Sequence, residues 1–196
     1  MRGAKLYNRD ELLDRAIELF RRQGFSATST AELVEELGVN RKSMYAEFGS
    51  KQELFEAALG RYSEQTLTRV LAPIEAKDAD ADSIRTAFEN YASASKGAFS
   101  GLGCLMCNTA VERAALDPGS GRFVDAYLKR LADNFRNALG NAHRKGQVAA
   151  GSDLDALAAF FAMSLVGISA LIRAKAAPEQ VQSAARIATA VLRPAD

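Results

Sequence analysis

Polar and apolar positions repeat with the period of an α-helix along the whole of this chain. The first amphipathic stretch begins after Asn8, a good N-cap with Glu11 three residues later, and it ends at Gly24. A glycine at that point predicts a left-handed C-cap, with Phe25 folding back onto the helix. One face of this predicted helix consists of Leu12, Leu13, Ala16, Ile17, Leu19 and Phe20.

Two short helices are predicted next. Thr28 or Ser29 caps the first of them, which ends at Gly38. Asn40 caps the second, which runs to about Phe48. The chain therefore turns sharply twice within a short distance, and each turn carries a glycine or a capping side chain.

Longer helices make up the remainder of the chain. Ser50 can form a capping box with Glu53, and the helix that it begins is expected to end at Pro73, because proline interrupts helical hydrogen bonding. No run of β-branched residues alternates with polar ones as a strand requires. The predicted fold class is therefore all-α, with a three-helix N-terminal unit and a C-terminal helical bundle. After a loop at 76–83, the bundle helices are expected near 83–97, 103–116, 120–146, 152–175 and 179–193.

The two short helices and the turn between them, residues 29–48, have the arrangement of a helix-turn-helix DNA-binding motif. The second helix of such a motif enters the major groove with its first residues toward the base edges. A plain three-helix bundle, whose basic corner is merely solvated, is the alternative, and a net charge of +1 does not separate the two. The residues at the start of the second helix are Asn40, Arg41, Lys42 and Ser43.

Candidate phosphate contacts surround this motif. Thr28 and Ser29 lie at the N-terminus of one predicted helix and Lys51 at that of another, where amide groups and the helix dipole favour anions. The hydroxyl of Tyr45 is a further candidate. A short basic arm before the first helix contains Arg2, Lys5 and Arg9.

The run from Leu12 to Leu54 resembles the TetR family of repressors. The resemblance implies that 29–48 is the helix-turn-helix, that Tyr45 and Lys51 contact phosphates, and that the protein is an Ω-shaped homodimer reading a palindrome. The matching residues are Gly24-Phe25, Thr28-Ser29, Leu37-Gly38-Val39, Tyr45, Phe48, Ser50-Lys51 and Leu54.

Several positions depart from the family pattern. Lys42 stands where many members carry glycine, Val34 stands where alanine is usual, and Glu47 is an unusual neighbour for a phosphate. These departures leave the operator sequence open. They do not affect the expected division into a DNA-binding domain at 1–54 and an effector-binding and dimerisation domain at 55–196.

The resemblance also implies roles for the second domain: middle helices that enclose a ligand cavity, and a last pair that forms the dimer interface. The stretches 154–172 and 181–192 suit that interface, because a helix that is apolar on every side must be buried on every side. An ordinary core helix within one chain is the alternative. The predicted homodimer contact therefore involves the helices near 152–175 and 179–193.

Effector pockets are mostly apolar, with a few polar groups that fix the orientation of the ligand. Aromatic, sulfur-bearing and polar residues of the middle helices are therefore candidates, although each can equally be plain core. The effector-binding candidates are Phe88, Tyr91, Phe99, Cys104, Met106, Cys107, Asn108, Phe123, Tyr127, Phe160 and Met163.

The segment from Cys104 to Cys107 is a C-x-x-C sequence with three possible meanings. A thioredoxin-like redox pair lacks its βαβ surroundings, and a zinc site lacks further ligands, since His143 is the one histidine. A reactive thiol in the first turn of a helix is the third. The tripeptide that begins at Gly103 resembles a TetR branch in which some members sense electrophiles or oxidants, and Lys175 is a cation that can approach the thiol. The alternative is that Cys104 is a small buried hydrophobe.

The sequence contains no Ser/His/Asp arrangement, no phosphate-cradling glycine loop and no cofactor motif, so neither an enzyme, a cofactor nor a metal is expected. A signal peptide is not recognisable, and no stretch is expected to approach the apolar length of a membrane helix, which favours the cytoplasm. The predicted function is a ligand-responsive regulator, a repressor that a small molecule releases from DNA. The alternative is a thiol-based sensor that uses Cys104.

Overall fold

The computed structural model describes residues 7–112 and 117–192. Regular structure in these ranges is helical, which confirms the all-α prediction. A π-helical turn, Ser63–Leu67, joins α4 to α5, and a 3-10 turn, Gly97–Phe99, precedes α7. The α-helices are α1 (Arg9–Gln23), α2 (Thr30–Leu37), α3 (Arg41–Phe48), α4 (Lys51–Tyr62), α5 (Thr68–Glu75), α6 (Ala81–Ser93), α7 (Leu105–Glu112), α8 (Pro118–Arg144), α9 (Leu154–Arg173) and α10 (Pro178–Thr189).

The predicted N-caps are the observed ones. Asn8, Asn40 and Ser50 each accept a hydrogen bond from a backbone amide in the first turn of α1, α3 and α4. Ser29 caps α2 in a complete capping box with Glu32. These side chains satisfy amides that a helix start would otherwise leave unpaired, so the sequence places the helix starts correctly.

Gly24 does not adopt the expected left-handed helical cap, because its φ of 87° is combined with a ψ of 172°. The chain continues in an extended direction here, and the amides of Phe25 and Ser26 donate to the Glu112 carboxylate of α7. A Cβ at position 24 would lie 2.6 Å from Glu112 Oε2. This φ/ψ combination is essentially restricted to glycine, so the local backbone requires glycine here, and the Glu112 carboxylate adds a close long-range contact.

Aromatic packing holds the N-terminal helices together. Phe55 of α4 lies 4.8 Å from the ring centroid of Phe20 and 4.9 Å from that of Phe25. Leu33 of α2 and Met44 of α3 are buried in the same core. The short helices α2 and α3 are too small to be stable alone, so this shared core fixes their mutual angle.

The expectation that Pro73 ends the helix from Ser50 is wrong. The chain passes through the π-helical turn into α5, and Pro73 lies inside that helix. Leu71 and Ile74, on either side of the proline, are fully buried where α5 packs against α6. Burial of two large apolar side chains outweighs the loss of one helical hydrogen bond.

The core of the C-terminal bundle is an aromatic cluster. Phe88 of α6, Phe135 of α8 and Phe161 of α9 are fully buried, and their ring centroids are 5.6 to 6.0 Å apart. The cluster ties the three helices together, so Phe88, an effector-binding candidate from the sequence, forms part of the packed core.

Helix α9 differs from one sequence-based expectation. Its length of 20 residues and a mean hydropathy of 2.0 reach what a membrane helix requires, so the statement that no stretch approaches this is wrong. On the single chain, one face of α9 packs on α8 and α10, while Phe160, Met163 and Leu171 are exposed. Ile187 of α10 and Val191 just beyond it are exposed as well. Within one chain, this apolar face has no cover among the described residues.

Candidate functional site

Helices α2 and α3 meet at the turn that the sequence predicted. Gly38 adopts the left-handed conformation, with φ of 66° and ψ of 28°, and Asn40 caps α3 by accepting from the Ser43 amide at 2.8 Å. Arg41 and Lys42 are exposed beside Asn40, and Ser43 is half-buried. The first turn of α3 therefore presents one amide, two cations and one hydroxyl side by side.

Tyr45 joins the two helices of this surface. Its hydroxyl lies 3.4 Å from Thr30 Oγ1 on α2, and the Arg41 guanidinium lies 5.6 Å from its ring centroid. The hydrogen bond with Thr30, followed by that with Arg41, lowers the pKa of Tyr45 from its ordinary value. Sequence reasoning missed Thr30, whose place directly after the Ser29 cap puts it in the exposed first turn of α2.

The helix N-termini next to α3 carry the other predicted contacts. Ser29 is exposed, and its hydroxyl accepts the Glu32 amide as the cap of α2. The Lys51 ammonium lies 4.2 Å from the Phe25 ring centroid. Thr28 is 1% exposed, and its hydroxyl donates to the Gly24 carbonyl at 2.5 Å. The structure therefore brings Ser29 and Lys51 to the surface and places the Thr28 side chain inside the turn.

Glu47, the unusual acid beside the candidate DNA surface, has partners on α1 and just before it. Arg9 Nε lies 3.4 Å from its carboxylate, and the Tyr7 hydroxyl donates to it at 3.4 Å. The Glu47 side chain is only 5% exposed, so its charge is largely withdrawn from the surface. Of the predicted basic arm, Arg9 is occupied by this contact, and Arg2 and Lys5 lie outside the described residues.

A cavity of about 590 Å³ opens between the two parts of the chain. Helix α1 forms one wall, and α4 with its π-helical turn, α6 and the segment before α7 form the others. Three of the sequence-predicted effector residues, Tyr91, Phe99 and Cys104, line it. Its apolar lining is completed by Ile17, Tyr62, Val70, Ala94 and Ile172.

The other effector candidates lie elsewhere. Cys107 and Tyr127 are buried next to one another, with Sγ and Oη 3.8 Å apart, and the Asn108 amide donates to the Leu102 carbonyl. Phe123 packs near Gly60. Met106 is fully buried, Phe88 belongs to the aromatic core, and Phe160 and Met163 face outward from α9 with 42% and 73% exposure. Helical spacing identifies apolar positions but does not reveal which of them face a cavity.

Cys104 caps the N-terminus of α7 at the cavity wall. Its amide donates to Ser169 Oγ at 2.8 Å, and its carbonyl accepts the Asn108 amide at 2.9 Å. Burial raises the pKa of the Cys104 thiol, but hydrogen bonds from the Cys107 thiol and amide, from Tyr62 and from the Met106 amide outweigh it and lower the pKa to about 6. The hydrogen bond to Cys104, followed by burial, raises the pKa of Cys107.

Arg21 of α1 is a cavity residue that sequence reasoning missed. Its Nη2 donates to the Gly103 carbonyl at 2.9 Å, and Arg173 of α9 donates to the Arg21 carbonyl. The Glu112 carboxylate, which accepts from the Phe25 and Ser26 amides, adds to these contacts. Together they tie the C-terminal end of α1 to the segment around Cys104. A signal was present, because Arg21 lies one turn after Ile17 on the apolar face of α1.

The chain matches two family models. Residues 12–58 match the bacterial regulatory proteins of the tetR family, and residues 81–188 match the tetracyclin repressor-like C-terminal domain.

Within residues 7–112 and 117–192, no group of three or more His, Cys, Asp or Glu side chains is placed to hold a metal ion.

Two named relatives can be aligned with nearly the whole chain. The uncharacterised HTH-type transcriptional regulator YezE of Bacillus subtilis is 29% identical over 182 residues, covering 92% of this chain and 94% of that protein. The HTH-type transcriptional repressor ComR of Escherichia coli is 30% identical over 188 residues, covering 92% and 87%. A cysteine mutant of the regulator CifR, complexed with 26-base-pair operator DNA, shares the fold with a TM-score of 0.84 at 24% identity, covering 95% and 97%.

Both halves of the chain therefore carry the same assignment. The helix-turn-helix geometry of α2 and α3 agrees with the N-terminal match, and the helical bundle agrees with the C-terminal one. This protein belongs to the TetR family of DNA-binding transcriptional regulators.

Proposed function

We propose that this protein is a homodimeric repressor that binds a palindromic operator and is released from it by a small molecule. The observation that carries the proposal is the cavity, because α1 of the N-terminal unit forms one wall and helices of the bundle form the others. A ligand in it contacts both parts of the chain at once. We divide the chain at residue 54 into the DNA-binding domain and the effector-binding and dimerisation domain.

The proposed base contacts are made by the first turn of α3. Arg41 and Lys42 are exposed there with Asn40, and Ser43 is partly accessible. Ser29, Tyr45 and Lys51 contact phosphates, whereas Thr28 positions α2 through its hydrogen bond to Gly24. The structure of CifR with operator DNA supports this assignment by analogy of fold.

The proposed dimer interface is the exposed apolar face of α9 and α10. Phe160, Met163, Leu171 and Ile187 are 37% to 73% exposed on one chain. An uncovered face of this kind marks an interaction site, and a second copy covers it with the same residues by two-fold symmetry. Burial of α9 in a dimer also accounts for its hydropathy without a membrane, in agreement with a cytoplasmic regulator.

Release follows when the effector prefers one arrangement of the dimer. The two recognition helices of a dimer must match half-sites about 34–36 Å apart or a multiple of this distance. A ligand that binds more tightly to a dimer with another spacing shifts the population away from DNA. The family function requires no catalytic step and no cofactor.

We expect the purified protein to bind the intergenic DNA upstream of its own gene more tightly than random DNA of equal length. Fluorescence anisotropy of labelled duplexes at increasing salt concentration measures this. The affinity should fall by about 10³ or more between 50 and 200 mM salt, because phosphate contacts release counterions. Equal affinity for both duplexes, followed by failure to select any sequence from a random library, would refute the repressor proposal.

A thiol-based sensor is the second candidate function. The observation that favours it is the position of Cys104 at the cavity wall, capping α7 with a pKa of about 6, so that its sulfur is a thiolate at neutral pH. A thiolate is the nucleophilic form of cysteine. The Lys175 side chain packs against Gly101, three residues before Cys104.

We expect iodoacetamide to alkylate Cys104 with a pH midpoint near 6, whereas an ordinary thiol has a midpoint about 8.5. Because the pKa is lowered, the reaction stays fast at neutral pH and slows only as the pH falls through about 6. Peptide mapping by mass spectrometry measures the rate at each cysteine, and Cys107, with its raised pKa, is the internal control. Cys104→Ser should still bind the operator but resist release by electrophiles. Release equal to that of the unmodified protein would end this candidate.

A further inference from the structure

Arg21 is a buried cation whose charge is incompletely paired. Its side chain is 8% exposed, and its ion-pair partner Glu18, at 3.2 Å from Nη1, is 44% exposed to solvent. The guanidinium lies 5.7 Å and 5.8 Å from the ring centroids of Tyr62 and Phe99. Its Nε has no hydrogen-bond partner among the described residues. A buried charge that lacks partners is costly, so the site favours a further acceptor.

Tyr91 supplies a second donor without an acceptor. Its hydroxyl is buried and meets no partner at hydrogen-bond distance in the described part of the chain. Burial, followed by the charge of Cys104, raises the pKa of Tyr91 well above its ordinary value, although the neighbouring Ser169 hydroxyl acts to lower it, so the phenol keeps its proton at neutral pH. Tyr91 and Arg21 line the same cavity.

The remaining charged groups of the cavity have other partners or face solvent. Arg61 pairs with Asp10 and Asp14 at 3.1 Å and 2.6 Å. The Cys104 sulfur accepts from the Cys107 thiol and from Tyr62. Arg69 is exposed, and its Nε donates to the Gln65 carbonyl. Arg21 is thus the buried lining cation with an unused donor.

We propose that the cavity binds an aromatic organic anion, such as a carboxylate or sulfonate, with the anionic group against Arg21 and the Tyr91 hydroxyl. The apolar body lies against Ile17, Val70 and Phe99. A volume of about 590 Å³ is within the range of small-molecule sites. The inference rests on the proposed function only in identifying this ligand as the effector.

The position of Arg21 gives the ligand direct access to the DNA-binding domain. Arg21 belongs to α1, and its Nη2 holds the Gly103 carbonyl next to Cys104. An anion that engages the guanidinium competes with Glu18 and Gly103 for its donors. The ligand thereby changes the contact between α1 and the bundle without an intermediate helix.

The test uses two fluorescent probes of nearly the same shape, anilinonaphthalene sulfonate and the uncharged phenylnaphthylamine. The full-length protein is titrated with each, without DNA. We expect Arg21→Gln to weaken sulfonate binding about tenfold or more, and to leave the affinity for the neutral probe within about twofold, because a charge-assisted hydrogen bond is lost. Arg22→Gln is the matched control, since Arg22 is the next residue of α1 and pairs with Glu36 on the surface.

Tyr91→Phe is a second variant that keeps the shape of the wall. Because its hydroxyl meets no partner at hydrogen-bond distance in the described structure, its removal should not unfold the protein and should weaken sulfonate binding by about threefold. If Arg21→Gln and Tyr91→Phe leave the sulfonate affinity unchanged, or change that of both probes equally, the anion site is refuted. If the sulfonate binds as expected but does not alter operator affinity, the anion site stands and its role as effector site fails.

Discussion

Replacing Met163 with aspartate is expected to separate the dimer into monomers and to lower operator affinity by about 100-fold or more. Met163 is 73% exposed in the middle of the apolar face of α9, so the substitution leaves the single chain folded. In the dimer it would bury a carboxylate against a second apolar face, twice by symmetry. Analytical ultracentrifugation measures the mass, and anisotropy with operator DNA measures the affinity.

Val111→Asp is the matched control for this experiment. Val111 is also a large apolar residue, 85% exposed, but it lies on α7 and not on α9 or α10. The Val111→Asp protein should remain dimeric, with unchanged affinity for the operator. A Met163→Asp protein that sediments as a dimer would place the interface on another surface of the bundle.

Arg41→Ala is expected to lower affinity for the operator by about 5- to 150-fold and to reduce the preference for one base pair, as loss of a bidentate base contact does. The side chain is exposed and lies over the Tyr45 ring, so the melting temperature should change little. Anisotropy with operator and random duplexes measures both affinities. Equal loss on the two duplexes would assign Arg41 to the phosphates instead.

Two further variants separate the kinds of contact. Lys51→Ala should weaken binding to all duplexes alike and reduce the salt slope by about one, because a phosphate contact carries no base information. Arg136→Ala removes an exposed cation of α8, far along the chain from the helix-turn-helix, and should leave binding unchanged. A loss of specificity in Arg136→Ala would show that the recognition surface lies elsewhere.

The contacts around α1 connect the cavity to the DNA-binding unit. Gly103 and Arg173 hold Arg21, and Glu112 holds the amides of Phe25 and Ser26 just before the helix-turn-helix. The segment from Gly103 to Glu112 contains Cys104 as well. The anionic ligand and a modified thiol would therefore act on the same connection, from neighbouring positions.

Local features of this protein follow from its sequence. The capping box of Ser29 with Glu32, the Asn40 cap and the left-handed Gly38 are hydrogen bonds and backbone conformations within one turn of chain. Such interactions depend on residues three or four positions apart, so the sequence pattern contains them. The helix-turn-helix and its exposed first turn could therefore be predicted closely.

Features that depend on distant residues were decided by the tertiary structure. Pro73 stays inside α5 because α6 covers its neighbours, and the amides that follow Gly24 find their acceptor on Glu112 of α7. Met163 matches core residues in its spacing, yet it faces outward, whereas Arg21 is charged and faces a cavity. Helical periodicity shows which face of a helix is apolar. Only the packing of whole helices decides whether a residue on that face contacts a core, a cavity or a second chain.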